Sequence, residues 1–184
     1  MPIAGSEVRV GANGNIYIAP SGTAGPVNMA AAWTGFTDLG YATEDGVTIG
    51  RALTTEQVRA WQSISAIRYL VTEVQFTINF SLLQWNETSL PLWLGGGTVV
   101  NQGSGSYKFS VSSAPTIDER VLGVQWIDGT INYRAVIGRC MVTESGESNV
   151  TRGGAVALPL TFGAMAPSSG TELAYILTDD PAMA

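Results

Sequence analysis

Histidine is absent from the 184-residue chain, cysteine occurs once, at Cys140, and lysine once, at Lys108. Each shortage closes a line of chemistry. Without imidazole there is no Ser-His-Asp or Cys-His triad. One cysteine and no histidine cannot supply the four ligands of a Cys/His zinc site. A lone cysteine forms no internal disulfide, so nothing in the chain requires an oxidising compartment. Charge is scarce as well, at 13% of residues, where globular chains average about 25%. The charge that exists is mostly acidic, 15 acids against 9 bases for a formal −6. That balance argues against wrapping nucleic acid through phosphate neutralisation. No apolar run approaches the ~20 residues that span a bilayer. The start, MPIAGSEVRV, has neither a basic n-region nor an apolar h-region, and does not read as a signal peptide. No GxxxxGK[ST] loop is present to cradle a phosphate.

What remains is apolar and glycine-rich: 45% hydrophobic residues and 22 glycines. That composition excludes a disordered chain, and the length suits one domain with its own core, over residues 1–184. A surface so poor in charge has two readings. Either other subunits cover much of it, or it is polar without charge, built of Thr, Ser, Asn and Gln.

Period-two alternation dominates. In TEVQFTINFSLLQ (72–84), Val74, Phe76, Ile78, Phe80 and Leu82 share one face, and Glu73, Gln75, Thr77, Asn79 and Ser81 the other. Further strands are predicted over 15–19, 36–43, 47–51, 63–70, 106–111, 121–127, 130–142, 154–164 and 172–177. Asp45-Gly46 and Asp128-Gly129 read as hairpin turns between their flanking strands. Pro159 suggests an edge or bulge position. Helix signals are few. Residues 86–94 suit one short helix with Asn86 or Ser89 as cap, and Thr54 with Gln57 has capping-box spacing. Many strands with regular turn signals predict an antiparallel β-sandwich or barrel.

Residues 44–65 form a long insertion between strands. Val47, Ile49, Leu53, Val58 and Trp61 give it too much apolar side chain for a free tether. Such an arm is stabilised only against another surface, either its own sandwich or a neighbour. The polar face of the long strand, with Glu73, Gln75, Thr77 and Asn79, contains no base. It is either an ordinary solvent face or one that mildly repels a nucleic-acid backbone.

Catalytic signals are weak. Glu44-Asp45, Asp118-Glu119 and Asp179-Asp180 are adjacent acids, which point to opposite faces of a strand rather than across a cleft. They read as solvated turns and termini. Cys140 reads as a small buried hydrophobe. Trp33, Trp61, Trp85, Trp93 and Trp126 are scattered, as core or interface anchors are. Asn86-Glu-Thr and Asn149-Val-Thr match the glycosylation pattern, but without a secretion signal they read as chance.

Several stretches together resemble the tail tube (major tail) proteins of long-tailed, non-contractile bacteriophages. They are Gly14-Asn-Ile-Tyr-Ile-Ala-Pro-Ser-Gly-Thr23 with Pro26, then FTDLGYATEDGV (36–47), then Arg59-Ala-Trp-Gln62. Ile67-Arg68, Thr72-Glu73 and Phe80-Ser-Leu-Leu83 follow, and Arg152-Gly-Gly154 with Leu158-Pro-Leu-Thr161 closes the set. The resemblance implies two packed antiparallel sheets with a short helix and a long inter-strand loop. Six copies would form a ring whose inner strands close into a β-barrel. Stacked rings would form the virion's tail tube, made in the bacterial cytoplasm, through which DNA passes without being bound. Partners would be the chain itself, a tape-measure protein, and tail terminator and tail-tip proteins, with no membrane and no cofactor. The loop would reach the next ring, with Glu44, Asp45, Arg51, Glu56, Arg59 and Trp61 in contact. Glu73, Gln75, Thr77 and Asn79 would face the lumen. The chain is thereby expected to be a structural protein and not an enzyme. The rivals are a monomeric β-sandwich binding module, for carbohydrate for example, and a carboxylate-dependent hydrolase. The hairpin over 121–142 would add barrel strands, where Arg134 and Arg139 fit an acidic channel only if they point away or pair across subunits.

Overall fold

The computed structural model describes residues 7–114 and 117–183. Residues 1–6, most of the stretch tested above for a signal peptide, lie outside the described residues. Ten strands and one short helix follow in the order β1 (Asn13–Pro20), β2 (Thr37–Asp38), β3 (Ala42–Val58), β4 (Arg68–Leu82), α1 (Ser89–Trp93), β5 (Val99–Gly103), β6 (Ser106–Phe109), β7 (Arg120–Asp128), β8 (Ile131–Ser145), β9 (Leu158–Ala164) and β10 (Ala174–Thr178). The fold is mainly β and antiparallel, as the alternation predicts. One sheet runs β2-β1-β7-β8-β9-β4-β3, with β10 also paired to β8, and β5-β6 form a separate hairpin.

The sheet coils into a sandwich. Ile16 and Ile18 of β1 pack in the same buried cluster as Ile78, Phe80 and Leu82 of β4, although three strands separate β1 from β4 in the sheet. The long β8 carries the chain between the layers. Its first half pairs with β7 and β10, its second half with β9, and its partners shift register near Arg120–Leu122 and Val142–Glu144. Bulges of this kind let one strand turn the corner of a sandwich. Phe80 and Phe162 stack in the core, ring centroids 5.6 Å apart, and Leu92 of α1 closes one end. The cap position is Thr88, neither Asn86 nor Ser89, and just before the helix Asn86 Oδ1 accepts from the Thr88 and Ser89 amides at 2.9 and 2.8 Å. Cys140 is fully buried among these side chains, and burial pushes its thiol pKa up to about 12.

The outer face of β1, β7 and β8 is covered by the chain between β1 and β2. Trp33 stacks on Tyr17 at 4.7 Å and donates to Gln125 Oε1 at 2.9 Å. A Cβ at position 123 would overlap the Trp33 ring, so Gly123 lets that cap sit close. Arg134 lies over Trp33 and donates to the Ala31 carbonyl at 2.6 Å. It fastens this loop to the sheet.

Several local expectations are corrected. The segment 44–65 is not mostly loop: β3 continues to Val58, and only residues 59–67 connect it to β4. The capping-box spacing of Thr54 and Gln57 therefore lies on a strand. β4 begins at Arg68, not at 63. Asp45-Gly46 is not a hairpin turn but part of a bulge inside β3, between the pairs Ala42↔Leu82 and Val47↔Phe80, with Gly46 at φ 68°. Cross-strand pairing to one continuous partner overrides the local turn signal there. Strand β5, unmarked by alternation, pairs with β6 through a tight turn at Ser104 and Gly105.

Candidate functional site

β3 and β4 leave the sandwich together. β9 pairs with β4 only from Thr77 to Leu82. From Phe76 outward, among the described residues, the two strands pair only with each other, from Arg51↔Phe76 to Val58↔Arg68 with one register shift after Thr54↔Glu73. The tip is closed by the Ile67 amide on the Val58 carbonyl at 2.9 Å and the Ser63 amide on the Ala60 carbonyl at 3.1 Å. At about 3.3 Å per residue the paired part of this ribbon reaches roughly 25 Å beyond the sheet. Isolated two-stranded ribbons are marginally stable in water, and this one is also apolar. Leu53, Val58, Ile67, Tyr69, Leu70, Val71 and Val74 are exposed along it, and at the tip Trp61 is 98% exposed.

The residues expected to contact a neighbouring ring spread along β3 and the tip. Glu44 and Asp45 stand exposed in the bulge beside the sandwich. Arg51 is at the root of the ribbon, opposite Phe76, and Glu56 is opposite Leu70 near the far end. Arg59 donates to Gln57 Oε1 from Nε and Nη2 at 3.1 and 2.6 Å, and its neighbour Trp61 stands clear of the chain. Thus Arg51, Glu56, Arg59 and Trp61 share the ribbon, and Glu44 and Asp45 do not.

The four residues expected to face a lumen do share one surface. Glu73, Gln75, Thr77 and Asn79 alternate along β4, opposite Thr54, Ala52, Gly50 and Thr48 of β3. Gln75 donates to Glu73 at 2.7 Å. Thr161 of β9 extends the same face beside Asn79. A groove of about 320 Å³ there is lined by Asp45, Thr48, Ser81 and Glu144 among others, and no base borders it.

The adjacent acids Asp118-Glu119 and Asp179-Asp180 are engaged structurally. Arg139 forks onto Glu119 with Nε at 2.9 Å and Nη2 at 2.5 Å, and this hydrogen-bonding holds the Glu119 carboxyl below its usual pKa. Arg120 pairs with Asp118 at 2.8 Å. Asp179 accepts from the Asn132 amide at 2.6 Å, which lowers its pKa. Asp180, read above as a solvated terminus, is instead nearly buried. Arg9 reaches its two oxygens at 2.7 Å each, Tyr133 donates to it as well, and together they hold its carboxyl far below the usual range. Arg9 also donates to Tyr133 at 2.8 Å. Arg134 and Arg139 are accordingly tied down on the sheet, and Arg139 pairs with Glu119 of its own chain and not across subunits.

Comparison with known proteins decides the family. The profile described as phage tail tube protein matches residues 1–184. The chain belongs to the phage tail tube protein family. It is therefore a structural component of a virion tail. Among solved structures it is similar to a chain of the anti-feeding prophage (AFP) baseplate, determined by cryo-EM and 6-fold symmetrised, at 10% identity and a TM-score of 0.44 over 96% of this chain and 97% of that one. No curated protein matches.

For a tail tube protein, the ribbon is the feature the sequence marked without resolving its shape. The tip carries no Asn-Gly or Asp-Gly pair, so no turn signal separated β3 from β4. The strap of Arg9, Tyr133 and Asp180 went unseen, because its ends lie 171 residues apart.

Proposed function

We propose that the whole chain acts as one tail-tube unit, six copies closing into a ring and rings stacking into the tube that carries DNA to the host. The observation that carries this reading is the ribbon: an apolar two-stranded extension, beyond the reach of β9, on a chain of the tail tube family. Among the described residues, nothing within a monomer covers its exposed side chains. In a stack they meet the next ring, with Arg51, Glu56, Arg59 and Trp61 in contact and Glu44 and Asp45 at the rim.

Ring closure has physical support from the sheet edges. β3 forms one end of the main sheet and the two-residue β2 the other. A free edge as long as β3 is a hazard that pairing around a closed barrel removes. A head-to-tail contact that closes generates a ring, and a second one along the axis generates a filament. The polar face with Glu73, Gln75, Thr77 and Asn79 is assigned to the lumen, where acids without bases let DNA pass ungripped. Tape-measure, terminator and tip proteins are the further partners, and no catalytic step is assigned to any residue.

The test is electron microscopy of the purified protein beside a variant in which residues 55–71 are replaced by a two-residue turn. Both strands must be shortened together, because removing β3 alone would strand its partner. The wild type is expected to form rings or tubes, and the variant to fold with little change in stability while forming no tubes. A wild type that stays a 19.3 kDa monomer under all conditions, or a variant that still forms full-length tubes, sinks the reading.

A further inference from the structure

The polar face of β4 ends in a groove rich in oxygen. Thr48 of β3, Asn79 of β4, Thr161 of β9 and Glu144 of β8 are successive register partners, so they form one row across four strands. All four line the groove of about 320 Å³, together with Asp45 and Ser81. Beside this row β3 bulges, and residues 43–46 stand against Ser81 alone. The extra residues of a bulge leave the ladder. Gly46, at φ 68°, supplies the turn that keeps Asp45 on the groove.

Asn79 Oδ1 is the atom that asks for a ligand. It is buried and, among the described residues, no donor reaches it. Folded chains rarely leave such an acceptor bare, and a water or an ion completes it where they do. The surroundings choose between the two. The groove offers the carboxylates of Asp45 and Glu144, and among the described residues no ion pair engages either. No base borders it. A water would satisfy Asn79 and leave both charges without a cation, whereas one cation answers all three groups. Carboxylate, amide and hydroxyl oxygens suit calcium, which takes roughly six to eight oxygens in flexible geometry; magnesium demands a tighter octahedron and gives up its waters reluctantly. We propose that this groove is a calcium site, with Asn79 Oδ1 and the Asp45 and Glu144 carboxylates as ligands and the Thr48 and Ser81 hydroxyls and water completing the shell. Two carboxylates are a sparse charge set, and among the described residues no three metal-ligating side chains of the His, Cys, Asp and Glu kind gather. The affinity expected is therefore that of the weakest calcium sites, roughly 0.1–1 mM. The ion braces the β3 bulge against β8 just inside the point where the ribbon departs. The site is complete within one chain, so the inference stands apart from the tube reading.

Calorimetric titration of the purified full chain with calcium chloride tests it, with magnesium chloride and sodium chloride at equal ionic strength as controls. The unmodified chain is expected to bind one calcium per chain in that range. Its Tm is expected to rise with calcium and not with sodium, because an ion that binds only the folded chain stabilises it. Magnesium is expected to bind about tenfold more weakly or not at all. Asp45 and Glu144 are exposed, so Asp45→Asn and Glu144→Gln are expected to fold normally. Each is expected to weaken calcium binding about tenfold or more, since ligand charge sets affinity. Asn79→Asp adds a third carboxylate in nearly the same volume and is expected to tighten binding, which an asparagine of purely structural role would not do. No heat and no rise in Tm up to about 10 mM calcium means that water completes Asn79, and overturns the site. Binding left unchanged by both Asp45→Asn and Glu144→Gln places the ion elsewhere and overturns it as well. Binding that Asn79→Asp fails to tighten overturns Oδ1 as a ligand, and equal affinity for magnesium overturns the choice of calcium.

Discussion

One pair of strands belongs to two different environments. Near the sandwich, β3 and β4 carry Ile78, Phe80 and Leu82 into a sealed core, and β9 supplies a third strand. Farther out the same pair continues with exposed apolar side chains and, among the described residues, no third strand, residues 171–176 bordering its root at Arg51, Val74 and Phe76. The hydrophobic effect is indifferent to which chain supplies the covering surface. Apolar residues left in water on a long projection therefore support the proposed interface with other copies. Charge follows the same division. Arg9, Arg120 and Arg139 of the sandwich pair with Asp180, Asp118 and Glu119, whereas among the described residues no ion pair reaches the ribbon's Arg51, Arg59 and Arg68.

The sharpest way to break this comparison is to damage the core side alone. Phe162 is fully buried and stacked on Phe80. Truncation of a buried phenylalanine costs about 3–5 kcal/mol. Phe162→Ala is therefore expected to lower the unfolding free energy by that amount in chemical denaturation, with or without assembly. A loss below about 1 kcal/mol would show that the sandwich is as loosely packed as the ribbon.

The division was only partly legible in the sequence. The strict alternation of Val74 to Leu82 against Glu73 to Ser81 needs only local steric periodicity, and it correctly placed the core face and the polar face of β4. The apolar excess over 44–65 marked a segment of which 51–65 lie on the ribbon, while 44–50 stay with the sandwich. Its strand character was hidden, because Asp45-Gly46 has the chemistry of a turn whether it closes a hairpin or bulges a strand. Only the pairing of Val47 with Phe80 distinguishes the two. The coil of the sheet, which brings Ile16 against the same core as Ile78, depends on contacts between distant segments and leaves no local mark. The burial of Asp180 was likewise invisible, since its partner Arg9 is at the other end of the chain.

A smaller effect probes the charges of the sandwich. Arg9, Tyr133 and the Ala182 amide hold the Asp180 carboxyl well below its ordinary pKa. A carboxylate depressed in the folded state stabilises fully above its unfolded pKa and progressively less as pH falls toward the folded value. Asp180→Asn is expected to lower Tm at pH 7, and the deficit is expected to shrink once pH falls below about 4, the unfolded aspartate pKa. Melting curves between pH 7 and pH 2 check this. A deficit that stays constant across that range would assign the effect to packing of the strap and not to its charge.

The smallest effect on the monomer falls at the ribbon's tip, and it separates the two environments most cleanly. Trp61 is the largest side chain type and is almost wholly in water. If it served the stability of its own chain, its removal would register in unfolding. Exposed substitutions away from packed features usually stay within about 0.5 kcal/mol, so Trp61→Ala is expected to leave the denaturation midpoint of the unassembled protein unchanged. Buried tryptophans at an interface, by contrast, are among the residues whose loss costs about 2 kcal/mol or more of binding. In a tube each such loss recurs at every subunit, so the concentration needed for polymerisation is expected to rise by roughly 30-fold for ~2 kcal/mol per contact. Sedimentation of a dilution series reads that threshold directly. A tryptophan indifferent to folding but decisive for polymerisation belongs to the seam between copies, and one indifferent to both returns the tip to ordinary solvent.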